Sequence, residues 1–141
     1  MRNNLADRLN LVEECYEFML AYAAQGVDGE EGSGRGGGIR DFLKRAVQAL
    51  TGLSDAFAAL VKQEGLEPAG PYQDFLGVVD RDARDSLAAI ELVLAQPAIS
   101  SQLIDNLNAS IHLRALLTDL FLLDEIVKLQ RNTAEQANTP S

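Results

Sequence analysis

Between Ile111 and Leu129 the chain is apolar on nearly every side of a helix, and that stretch limits what the sequence can fold into. Two seams coexist there at helical spacing. Leu113, Leu116, Leu117, Leu120, Leu123 and Val127 form one; Ile111, Ala115, Leu122, Ile126 and Leu129 form the other. At about 100° per residue they lie well apart around the cylinder. A bundle helix turns one apolar stripe inward, so an all-round apolar segment needs extra cover, from a central position or from a second protein.

The rest of the chain offers three amphipathic helices as that cover. Residues 4–24 carry a stripe of Leu5, Leu9, Val12, Tyr16, Met19 and Ala23, with a second of Leu11, Cys15, Phe18 and Tyr22 beside it. Asn4 is a suitable N-cap. Residues 39–64 repeat Ile39, Phe42/Leu43, Ala46, Leu50, Leu53, Phe57 and Leu60, with Thr51-Gly52 placing a slight bend mid-helix. Residues 72–95 present Phe75/Leu76, Val79, Ala83, Ser86/Leu87, Ile90 and Val93/Leu94, while Asp80 with Arg84 and Arg81 with Asp85 pair on the solvated side. The last helix runs over 101–131, capped by Ser100 or Ser101. The expected architecture is therefore all-α, an up-down four-helix bundle over residues 1–131, with a frayed polar tail over 132–141.

Gly26 to Gly38 joins the first two helices. Its glycines make it a flexible connector. Arg35 and Arg40 beside a glycine loop suggest a phosphate cradle, but no strand precedes it and no Gly-Lys-Ser/Thr follows, so a solvated linker is expected.

Composition narrows the function. A chain of 141 residues forms one domain that buries roughly 70% of its unfolded surface. No apolar run approaches the roughly 20 residues of a membrane span, and residues 1–4 open no leader sequence. The net charge is −9, and residues 1–31 hold seven acidic side chains against Arg2 and Arg8. Nucleic acid and anionic lipid would repel such a surface, so neither is expected as a partner. Cys15 is alone and permits no internal disulfide, which fits a cytoplasmic protein.

The residues also disfavour most bundle chemistries. A two-metal carboxylate site takes a Glu-x-x-His from each of two helices. Here the one histidine is His112, preceded three residues earlier by Ala109, so no metal and no cofactor is expected. No Ser/His/Asp or Cys/His arrangement follows from spacing, and no enzymatic activity is expected. Glu13 and Glu17, like charges one turn apart, call for a cation, and Arg114 is the candidate for a partly buried pair that fixes helix register.

His112 on a polar face with Asp105, Asn108 and Asp119 resembles the histidine phosphotransfer domain, an acidic four-helix bundle. That resemblance implies His112 as phosphoacceptor. Where the family has Lys three and Gly four residues after its histidine, this chain has Ala115 and Leu116.

The expectation ranked first is a non-enzymatic interaction module, an adaptor, assembly factor or chaperone-like protein. It would form a homodimer through Leu113, Leu116, Leu120, Leu123 and Val127 of the last helix, or bind another protein there. The alternatives are phosphotransfer signalling through His112 and a small-ligand bundle with a cavity between Tyr16, Met19, Phe57 and the last helix.

Overall fold

The computed structural model describes residues 2–29 and 38–138, and side chains over 5–29 and 38–133. Among these residues the fold is all-helical: α1 (Arg2–Gln25), α2 (Ile39–Leu50), α3 (Leu53–Gln63), α4 (Ala69–Leu94), α5 (Ser101–Ala109) and α6 (His112–Asn138). No helix among the described residues is long and apolar enough to cross a membrane.

Two of the expected helices are interrupted. The segment 39–64 leaves helical geometry at Thr51, and Gly52 takes a left-handed φ of 76° to open α3. Only glycine reaches that region without a Cβ clash, so what reads as a bend in the sequence is a full break. The orphan carbonyls it leaves are satisfied from α1: Arg8 Nη1 donates to Ala49 O at 3.2 Å and Thr51 O at 2.6 Å. The segment 101–131 breaks at Ile111, whose φ of 62° separates α5 from α6.

The other ends are built by local chemistry. Gly26 carries α1 out through a left-handed φ of 69°. Gly65, at φ 60°, closes α3, with Leu66 N–H donating to Val61 O at 3.1 Å and Leu66 buried beneath the turn. Ser100 caps α5 by accepting from Leu103 N–H at 3.0 Å. Arg40, at the start of α2, donates to Leu94 O at 2.8 Å and Gln96 O at 3.0 Å, closing the end of α4. The expected phosphate-cradle alternative turns on Arg35 and residues 30–37 of the glycine linker, which lie outside the described residues.

One core runs through all six helices. α1 packs on α2 and α5, and α4 packs on α6, α3 and α2. The two stripes expected on α1 merge: Leu5, Val12, Cys15, Met19 and Tyr22 are buried, flanked by half-buried Leu9, Tyr16 and Phe18. On α4 the expected stripe is the buried one, in Val79, Ala83, Ser86, Ile90 and Val93. The pair Asp80–Arg84 forms at 2.9 Å, whereas Arg81 and Asp85 form no ion pair among the described residues. α1 is tied to the start of α5 by Ser101, whose Oγ donates to Tyr22 O at 2.6 Å and accepts from Val27 N–H at 2.9 Å. The tail expected to fray from residue 132 instead continues α6 to Asn138.

Candidate functional site

The apolar surplus of the last helix divides cleanly. Leu113, Leu116, Leu120, Leu123 and Val127 are at most 5% exposed and form the chain's own core. The seam expected to meet a second protein is thus occupied from within, because α1 and α4 both close on it. Of the other seam, Ala115 and Ile126 are half-buried, while Ile111, Leu122 and Leu129 stay outside together with neighbouring Phe121. Phe121 is 51%, Leu122 50% and Leu129 56% exposed, and Ile111, just before α6, is 59% exposed.

Beside this strip runs an apolar groove of about 360 Å³ between the start of α4 and the middle of α6. Its walls are Glu67, Pro68, Pro71, Tyr72 and Phe75 on one side and Leu122, Leu123, Ile126 and Gln130 on the other. Between Phe121 and Leu129 the charged side chains are Asp124, Glu125 and Lys128, and Lys128 pairs with Asp124 at 3.1 Å. Glu125, between Phe121 and Leu129, forms no ion pair among the described residues.

Farther along the same α4–α6 seam, Asp82 lies near enough to Asp119 to act on its carboxyl group. Burial first, then the hydrogen bond and charge of Asp82, push Asp119 up to about 7. Its Oδ2 is buried with no hydrogen-bond partner. Nothing in the sequence distinguishes this pair: Asp82 falls in the run Asp80–Asp85 that reads as a solvated face, and only the register of α4 against α6 brings it to Asp119.

Glu13, Glu17 and Arg114 do come together, around a shallow groove of about 370 Å³ shared with Tyr16, Leu117, Thr118 and Phe121. They are not the partly buried ion pair expected. Glu17 and Arg114 are exposed, and none of the ion pairs among the described residues joins the three.

His112 is half-buried and is the first residue of α6, directly after the break at Ile111. The phosphotransfer resemblance places its histidine mid-helix on an open polar face, and this geometry differs. Met19 and Phe57 are buried core, while Tyr16 lines the shallow α1–α6 groove, so the three do not share the expected ligand cavity. Among the described residues no group of three or more His, Cys, Asp or Glu side chains could hold a metal ion.

The chain matches no protein-family model, no curated protein and no solved structure.

Proposed function

We propose that the chain is a four-helix up-down bundle whose second and fourth helices are each broken once. In this reading it is a non-enzymatic interaction module that pairs with a second copy of itself. Alternating direction is supported by end-to-end contacts. Arg8 near the start of α1 reaches the end of α2, and Arg40 at the start of α2 reaches the end of α4. Phe75 near the start of α4 shares a groove with Ile126, late in the fourth helix.

The observation that carries the reading is the row Phe121, Leu122 and Leu129, each half or more exposed directly beside an apolar groove. Contiguous exposed apolar surface of this kind marks an interface. A second copy suits it because ridge and groove lie on one patch. A two-fold contact sets the ridge of each protomer into the groove of the other. Two chains of net charge −9 repel one another, so self-association relies on the apolar side chains of this strip to outweigh that repulsion and the charge of Glu125. The 27 residues of α6 span about 40 Å, enough length for the roughly 800 Å² per partner of a standard interface.

The test is sedimentation at micromolar concentration on the wild-type chain and on Leu122→Glu and Leu129→Glu. The wild type dimerises; both variants stay folded, since each side chain is already half in solvent, and run as monomers. Leu120→Glu, by contrast, buries a charge at a fully enclosed position and unfolds the chain. A wild-type chain that is strictly monomeric throughout this range ends the self-association reading.

A further inference from the structure

Two exposed charges of opposite sign stand on the outward face of α6, Arg114 near its start and Glu125 eleven residues later. Neither joins an ion pair among the described residues. Arg114 shares its shallow groove with Glu13 and Glu17 without bridging to either. At about 100° per residue, Glu125 returns to within about 20° of Arg114 around the cylinder. Both charges thus border the α1 side of the strip, with Phe121. Leu122 and Ile126 border its α4 side, where the apolar groove runs.

The outward positions are spaced evenly about the level of Leu120. Thr118 and Leu122 stand equally far to either side of it, as do Ile111 and Leu129. At about 1.5 Å of rise per residue, Arg114 lies roughly 9 Å to one side and Glu125 roughly 7.5 Å to the other. A two-fold axis in the contact plane at this level, perpendicular to the helix, sets two α6 helices antiparallel and keeps like side against like side. Arg114 of each copy then arrives level with Glu125 of the other, to within about 1.5 Å along the helix. Leu122 of each turns toward the groove of the other. A parallel two-fold does the reverse and puts Arg114 beside Arg114 and Glu125 beside Glu125. Charge selects the antiparallel arrangement.

We propose, resting on the self-association reading, that two copies pair through antiparallel α6 helices centred at Leu120, with Arg114 of each against Glu125 of the other. The two residues set the orientation and register of the contact. A second copy fits as the occupant because it carries both charges at the matching spacing. The carboxylate that stands on the apolar strip is thereby met by a cation from the facing chain.

The test is sedimentation equilibrium of the full chain, comparing wild type, Arg114→Glu, Glu125→Arg and an equimolar mixture of the two variants. Both positions are exposed, so the variants keep their helical circular dichroism. Each variant alone associates at least about tenfold more weakly than wild type, because two attractions become two repulsions. The mixture recovers most of the loss, since a heterodimer keeps one pair as it was and rebuilds the other with its signs exchanged. Net charge alone predicts otherwise: Glu125→Arg makes the chain less acidic and would tighten the pairing. A dimeric wild type with Glu125→Arg at least as tight, or a mixture no tighter than its components, overturns the register and leaves self-association standing. A strictly monomeric wild type overturns both. Should Arg114→Glu fail to fold, Glu125→Arg decides alone.

Discussion

Arg131 of α6 grips Glu64 at the end of α3 with two parallel hydrogen bonds, Nε to Oε1 at 2.8 Å and Nη2 to Oε2 at 2.6 Å. The fork geometry suits guanidinium to carboxylate, and Glu64 is the more enclosed partner, its side chain 14% exposed. The carboxylate holds the Arg131 proton more firmly than usual, chiefly through the hydrogen bond. This contact fastens α6 one turn past Val127, the last buried residue among the described side chains. Lysine offers a single point charge and cannot reproduce the fork. Arg131→Lys is therefore expected to lower stability by about 1 kcal/mol in urea unfolding, and Glu64→Gln by a similar amount. Both deficits shrink in high salt, since the wild-type pair is screened there; equal midpoints for wild type and variants would show the pair to be ornamental.

Ile111 is a β-branched residue in left-handed geometry with its side chain largely in solvent. It sits just past the end of α5, its N–H donating to Asn108 O at 3.1 Å, while its carbonyl accepts from Ala115 N–H at 2.8 Å to start α6. An L-residue carries about 1–2 kcal/mol of steric strain there, and glycine carries none. Glycine also enlarges the unfolded ensemble, which offsets part of the gain. Ile111→Gly is expected to stabilise the chain by about 0.5–1 kcal/mol, and Ile111→Asn likewise. Thermal melts would rise by about 2–4 °C. Destabilisation by both variants would mean that the exposed isoleucine packs on something, and the α6 strip is the first place to look.

How much of this was legible follows from which force decided each feature. Burial at helical spacing placed the helices, because apolar stripes such as Val79, Ala83, Ser86 and Ile90 are written directly in the residue order. The break at Gly52 was half visible, since glycine marks a weak point without saying how far the chain departs. The break at Ile111 was invisible: isoleucine is among the last residues expected at positive φ, and the seams on either side run on as though continuous. The extension of α6 to Asn138 is hard to see in the sequence because residues 132–138 are polar like a frayed end, although Ala, Glu and Gln are good helix formers. Of the candidate site, the surplus apolar face was legible but its outward seam was not. Which of two seams faces inward depends on the order in which α1 and α4 close on α6. The Asp82–Asp119 contact depends on that same cross-helix register.

Asp119 makes global stability depend on pH in a direction opposite to that of a salt-bridged carboxylate. Its folded-state pKa of about 7 lies above the unfolded value near 4. Between the two, the folded state binds more protons than the unfolded, so stability falls as pH rises through that window and levels off above it. Because the seam is partly open to solvent, the full shift overstates the effect, and about 1 kcal/mol is expected. Urea midpoints from about pH 5 to about pH 8 should fall for the wild type more steeply than for Asp119→Asn, whose carboxamide does not titrate. Parallel curves for the two chains would show that Asp119 is ionised in both states.

Cys15 is 1% exposed within α1, and burial pushes its thiol up to about 12 against the weaker opposing pull of Arg45. The thiolate is the nucleophile, so at about pH 8 roughly one molecule in ten thousand carries the reactive form, and that one is enclosed. A disulfide reagent should thus leave the folded chain unmodified until it opens, with labelling that speeds up in step with urea unfolding. Stoichiometric labelling of the native chain within the mixing time would contradict this burial. The same enclosure bears on the proposed pairing. Cys15 faces the core while the α6 strip faces out, so two protomers meeting through Leu122 and Leu129 cannot be joined by a disulfide. Sedimentation with and without reductant should therefore give one and the same association constant. A reductant-sensitive dimer would mean that a second, non-native contact through an opened α1 had been mistaken for the α6 interface.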